Sequence, residues 1–188
     1  GYDKAKKAFE TSLNKLQTDY LDLYLIHRPR GDVHGSWRAM QDLHKEGKIK
    51  AIGVSNFTAA QIKDLMDNFD VKPAVNQIET HAFFHQPDDL KFLKKHNIVH
   101  EAWSPFAQGR NEHFSNETLA EIGKKYGKNN AQVAMRWHYQ RGIIPIPRSE
   151  QVAHMKENLD IFDFELSNAD LKKIETLDLN VTQFPEWE

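Results

Sequence analysis

The 188-residue chain contains no cysteine, which excludes disulfides and thiolate metal sites and fits a reducing compartment. No apolar run approaches the length of a membrane span, and no basic-then-apolar leader opens the chain. We therefore expect no membrane partner and take a cytoplasmic location as the default. Net charge is nearly absent too, −2 with the 10 histidines counted neutral, which removes any electrostatic reason to expect nucleic acid as a partner. Internal repeats and low-complexity tracts are missing, and no G-x-G-x-x-G follows the first strand, which argues against the ordinary dinucleotide-binding fingerprint.

What is there reads as one globular domain over residues 1–188, with 39% hydrophobic residues. Five short β-type runs begin near Leu21 (LDLYLIH), Ile49 (IKAIGVS), Ala74 (AVNQIE), Ile98 (IVHEAW) and Ile143 (IIPIP). None alternates cleanly between apolar and polar, so strands covered on both faces of a parallel sheet are expected. Helical patterns fill the gaps at Asp3–Leu16, Ser36–Glu46, Thr58–Asn68, Pro87–His96, an insert from about Asn116 to Gln140, Gln151–Asn158 and Ser167–Leu177. Within the insert, Gly127-Lys128-Asn129-Asn130 offers a helix stop and a new N-cap. Ser167 with Asp170 three residues later resembles a capping box. Strict β/α alternation of this kind predicts right-handed crossovers, in either an open doubly wound sheet or a closed barrel.

Both architectures bind ligands at the carboxyl ends of their strands. Here those ends carry His27, Ser55-Asn56, Gln77 with Glu79, Trp103-Ser104 and Arg148-Ser149. Taken singly each has a plain structural explanation: Ser-Asn is common turn chemistry and a lone tryptophan is usually core. Polar groups recurring at every strand end point instead to a site, since burying them without a partner is costly. His81 and His85 stand four apart but have no third ligand at a suitable spacing, so no metal is expected. The Lys-rich segments KKH and GKK read as solvated helix faces.

These motifs resemble the aldo-keto reductases, NAD(P)H-dependent carbonyl reductases built on a (β/α)8 TIM barrel. The likeness runs through DLYLIHRP (22–29), GKIKAIGVSNF (47–57), KPAVNQIETH (72–81), EAWSPFAQG (101–109), AQVAMRWHYQRG (131–142), IPIPRS (144–149) and ENLDIFDFELS (157–167). Trp103 at the fourth strand end is most similar to the branch holding 2,5-diketogluconate reductases, glyoxal reductases and prostaglandin F synthases. The resemblance implies an α/β fold in which this chain supplies about strands 4–8 and their helices.

It also implies roles for the strand ends. His27 would be the catalytic-tetrad histidine that orients the substrate carbonyl by a hydrogen bond. Ser55, Asn56 and Gln77 would grip the nicotinamide carboxamide, and Trp103 would stack on its ring. Ser104, Phe106 and Gln108 would sit where a loop crosses the pyrophosphate. Arg148, Ser149 and the helix start near Gln151 would receive the adenosine 2′-phosphate, with Glu157 and Asn158 at the adenine and His154 among the cofactor-binding residues. His154 and Asn158, four apart, share a helix face.

The family's tetrad also has a proton-donating tyrosine, a lysine and an aspartate, on strands with no counterpart here. Gly1 is followed at once by a helix start, so the chain is read as the C-terminal part of a longer enzyme, with a natural half-barrel that pairs with another chain as the alternative, and by itself as inactive. The implied cofactor is NADPH in preference to NADH. His154 stands where many NADPH users carry arginine, and Glu150 adds a negative charge beside the phosphate site. Arg28 stands where the family usually has a pocket aromatic, which favours a polar or anionic substrate unless the side chain points to solvent. A small aldehyde or ketone is the implied substrate, and a monomer is expected at full length. The alternative is a non-catalytic nucleotide-binding or regulatory barrel.

Overall fold

The structure, a computed structural model, describes residues 1–187. Its elements alternate as the hydrophobic pattern predicts: α1 (Tyr2–Leu16), β1 (Leu21–Ile26), α2 (Val33–Lys45), β2 (Ile49–Ser55), α3 (Ala59–Asn68), β3 (Val75–Glu79), α4 (Pro87–Lys95), β4 (Val99–Trp103), α5 (Glu117–Tyr126), α6 (Asn130–Gln140), β5 (Ile143–Pro145), α7 (Val152–Leu159) and α8 (Asn168–Glu175). The strands are ordered β1-β2-β3-β4-β5 in one sheet. The β1–β2, β2–β3 and β4–β5 pairs are parallel, so the fold is α/β around a parallel sheet. Among the described residues no helix is long and apolar enough to cross a membrane.

Two compact units divide the chain, Gly1–Gln77 with Lys91–Val99, and Ile78–Leu90 with His100–Glu188. In the first, β1 pairs with β2 in the register Leu21 to Ile49 and Ile26 to Val54. Phe9 of α1, Trp37, Met40 and Leu43 of α2 and Ile62 and Leu65 of α3 are buried together with Ile52 and Val54 of β2. The expectation that all strands are covered on both faces holds for β2 and β3 only. β1 is half-buried along most of its length, because among the described residues β2 is its one neighbour in the sheet.

In the second unit the core is Ala82, Leu119, Ile122, Val133, Trp137, Leu166 and Ile174. The insert folds as two helices, as its Gly-Lys-Asn-Asn junction predicts. Gly127 takes the left-handed conformation (φ 65°) that ends α5, and Asn129 caps α6 in a full capping box with Gln132. Ser167 and Asp170 form the predicted box, at α8. α2 starts at Val33 and not near Ser36, because Asp32 caps it by accepting from the Gly35 amide at 2.7 Å. The sequence pattern did not foresee the 3-10 segment Ala107–Glu112. Its φ angles are positive at Ala107, Gln108, Gly109, Asn111 and Glu112, a conformation for which periodicity carries no signal.

Candidate active site

In the first unit the three strand ends are laced together at Asn56, whose backbone is left-handed (φ 61°). Its side-chain amide donates to the His27 carbonyl and to Ser55 Oγ, both at 3.1 Å. Its backbone N–H donates to the Gln77 carbonyl at 3.0 Å. Ser55 Oγ donates to the same carbonyl at 2.8 Å. The predicted quartet His27, Ser55, Asn56 and Gln77 is therefore one hydrogen-bonded cluster. Ser55 is buried while His27, just past the last residue of β1, is exposed. The cluster braces the rim of the three strands and leaves the exposed His27 imidazole at its edge, where it can donate to or accept from a ligand.

In the second unit Trp103 closes β4. Its ring centroid is 5.2 Å from Phe184 and 5.5 Å from Trp187, and those two stack at 4.8 Å. The tail thus builds an aromatic wall beside Trp103. Ser104 is left-handed (φ 51°) and accepts from Gln108 Nε2 at 3.4 Å.

A cavity of about 390 Å³ lies in the same unit, and Phe106, Arg148, Ser149, His154, Glu157 and Asn158 line it. All six were singled out in the sequence. Phe114, Asn129, Asn130 and Ala131 complete the lining and were not; Asn129 was legible only as a helix cap. Asn129 Nδ2 donates to Glu157 Oε2 at 3.1 Å, tying the start of α6 to α7 across the cavity. Asn158 is the buried residue of α7.

Several features suit this cavity to an anion attached to a flat ring. The N-terminus of α7 has no side-chain cap, unlike α3, α5, α6 and α8, so its first N–H groups stay available to a ligand. Arg148 lies beside that end and pairs with Glu150 at 2.6 Å, both side chains being largely exposed. Phe106 and Phe114, 5.8 Å apart, supply apolar faces.

Behind those rings His113 is fully buried, and both of its ring nitrogens lack a hydrogen-bond partner. It contacts Phe83, Phe106 and Phe114 at 5.9, 5.5 and 5.2 Å. Burial, reinforced by His81, pushes its pKa down to about 4. His138, also buried, has its two nitrogens 2.7 Å from the Ala134 carbonyl and 2.9 Å from that of Thr80. A neutral ring can donate to only one of them, yet burial outweighs this pull toward the charged form and pushes the pKa down to about 3. The set-aside pair is engaged elsewhere, His81 Nε2 with Glu79 Oε1 and His85 Nε2 with the Ala82 carbonyl, each at 2.9 Å.

The aldo/keto reductase family matches residues 2–179. Among curated proteins, the glyoxal reductase of Bacillus subtilis is 47% identical over 178 residues, covering 94% of this chain and 64% of that protein. Among solved structures, an aldo-keto reductase enzyme from a Medee basin deep-sea metagenome library is similar with a TM-score of 0.95 at 41% identity, over 98% of this chain and 69% of that one. A variant of Gox0644 in complex with NADPH is similar with a TM-score of 0.91 at 42% identity, over 95% of this chain and 66% of that one. The chain spans 66% and 64% of the length of the first two curated relatives that it matches. On this likeness along nearly its whole length, the chain belongs to the aldo/keto reductase family.

Proposed function

We propose that the 188 residues are a partial barrel domain, about strands 4–8 of a (β/α)8 barrel, from an NADPH-dependent enzyme that reduces a small aldehyde or ketone to an alcohol. The observation that carries the reading is the cavity of about 390 Å³, where the residues expected around an adenosine 2′-phosphate converge. A glyoxal reductase among the relatives and an NADPH complex among the similar structures point the same way.

In this reading Arg148, the Ser149 hydroxyl and the uncapped N–H groups of α7 bind the 2′-phosphate, while Asn158 and Glu157 meet the adenine edge. Bound NADPH supplies the hydride. In the first unit Ser55, Asn56 and Gln77 orient the carboxamide so that one face of the ring meets the substrate; in the second, Trp103 with Phe184 and Trp187 forms an apolar wall that excludes water. His27 donates a hydrogen bond to the carbonyl oxygen as charge develops there.

A proton donor is a separate requirement. Tyr2 and Tyr126 are spent on Asp42 and Asp170 at 2.8 and 2.6 Å, Tyr24 packs edge-on against Phe9 within β1, and Tyr20 and Tyr139 lie before β1 and on α6. None stands at the carboxyl end of a strand. We therefore assign the tetrad tyrosine, lysine and aspartate to parts of the enzyme outside these residues, and the chain by itself to binding without turnover. NADPH fluorescence titration followed by NADPH oxidation with methylglyoxal tests this: binding without oxidation is expected, and rapid oxidation by the 188-residue chain would overturn the assignment of the proton donor.

A further inference from the structure

The segment Ala107–Glu112 is costly to hold. Four of its non-glycine residues, Ala107, Gln108, Asn111 and Glu112, are left-handed, and such conformations persist only where surrounding contacts over-determine them. The contacts come from the C-terminal tail. Arg110 donates through its two terminal nitrogens to the Gln183 carbonyl and to the Glu186 carboxylate. Its guanidinium lies 4.2 Å above the ring of the fully buried Phe184, and Asn111 Nδ2 donates to Gln183 Oε1 at 2.8 Å. The tail is pinned independently at its other side. Glu79, buried at the end of β3, accepts from Thr182 Oγ1 at 2.5 Å and from the Gln183 N–H at 2.9 Å.

Each end of the strained segment abuts a cavity-lining ring, Phe106 on one side and Phe114 shortly after the other. The tail carries Phe184 and Trp187, the wall beside Trp103. Resting on the nucleotide reading above, we infer that Arg110 is a positioning residue that clasps the tail to this segment, so that filling the adenosine cavity tightens the aromatic wall around Trp103. Coupling of this kind is reciprocal: whatever loosens the tail weakens nucleotide binding by the same factor. A lone exposed ion pair would contribute little. Here the fork, the ring contact and the carbonyl bond act on one side chain, and a lysine cannot reproduce the fork.

Adenosine 2′,5′-bisphosphate is the probe, because it carries the groups assigned to the cavity and lacks the nicotinamide assigned to Trp103. Hydrogen exchange of the Gln183, Phe184, Glu186 and Trp187 amides is read with and without it. In the unaltered chain the probe slows that exchange by about tenfold. Arg110→Ala still binds the probe but loses the slowing, and Arg110→Lys recovers only part of it. Equal slowing in Arg110→Ala overturns the clasp. Failure of the probe to bind the unaltered chain overturns the nucleotide reading instead, and the clasp is then judged without ligand. Thr182→Val, which loosens the tail at Glu79, must speed exchange across Ala107–Phe114 when Arg110 is present and leave it unchanged in the Arg110→Ala background. An equal increase in both backgrounds overturns the clasp.

Discussion

Arg148 has a rival for its ligand. Glu150 accepts from it at 2.6 Å, so a phosphate arriving at the N-terminus of α7 must displace a carboxylate that repels it. Arg148→Ala is expected to weaken binding of 2′-phosphorylated nucleotides by about tenfold or more, the scale of one charge-assisted hydrogen bond, and to leave unphosphorylated ones little changed. Glu150→Gln should strengthen the phosphorylated class alone, and calorimetric titration of both variants checks the pair. His113 yields a pH prediction. Its folded-state pKa is about 4 against an ordinary 6.5, so the unfolded chain takes up the proton first. Stability is complete above about pH 6.5 and falls as pH drops toward 4, by about 3 kcal/mol at most. His113→Phe keeps the ring contacts and removes the proton site, so urea denaturation at pH 5 should show it gaining on the unaltered chain, with little difference at pH 7.5. The place of Arg148 beside Ser149, His154, Glu157 and Asn158 at one cavity was legible in the sequence because these residues stand in the motifs that follow the last strand. His113 and Arg110 were not, since one matters through what its ring nitrogens lack and the other through contacts with residues more than seventy positions away.

At the level of elements, the helices that border the cavity are stabilised unequally. α6 is capped by Asn129, which accepts from the Gln132 amide at 2.9 Å and also braces Glu157 of α7. Asn129→Ala should therefore cost about 1 kcal/mol of stability, as loss of a cap does, and weaken nucleotide binding as well. Thermal denaturation and titration of the same variant separate the two effects. Gly123 sets the turn between α5 and α6: a Cβ there would run into the Lys128 carbonyl oxygen, whose residue donates its own N–H back to Gly123. Gly123→Ala should lower the midpoint of thermal unfolding by several degrees, in spite of alanine's better helix propensity. The Ser167–Asp170 box, the Asn129 cap and the Gly127 stop could be read from residue spacing because such signals are local. The start of α2 was displaced because Asp32, an equally good cap, precedes Ser36. The 3-10 segment escaped because its shape is imposed by the tail, which no local pattern reports.

For the whole molecule, the alternation of strand and helix predicted a parallel α/β sheet, and the family motifs narrowed it to one fold. Burial was less legible. An apolar run such as LDLYLIH looks covered on both faces in sequence, yet β1 is half-buried with one strand neighbour among the described residues, and the run itself does not say how many neighbours it has. Under the proposed function, these residues hold a complete site for the adenosine end of NADPH. Calorimetric titration of the chain with adenosine 2′,5′-bisphosphate and, separately, with adenosine 5′-monophosphate tests that claim most directly. The bisphosphate should bind at least about tenfold more tightly, the 2′-phosphate contributing through Arg148 and α7. Equal affinity for the two nucleotides, or no heat from either, would contradict it.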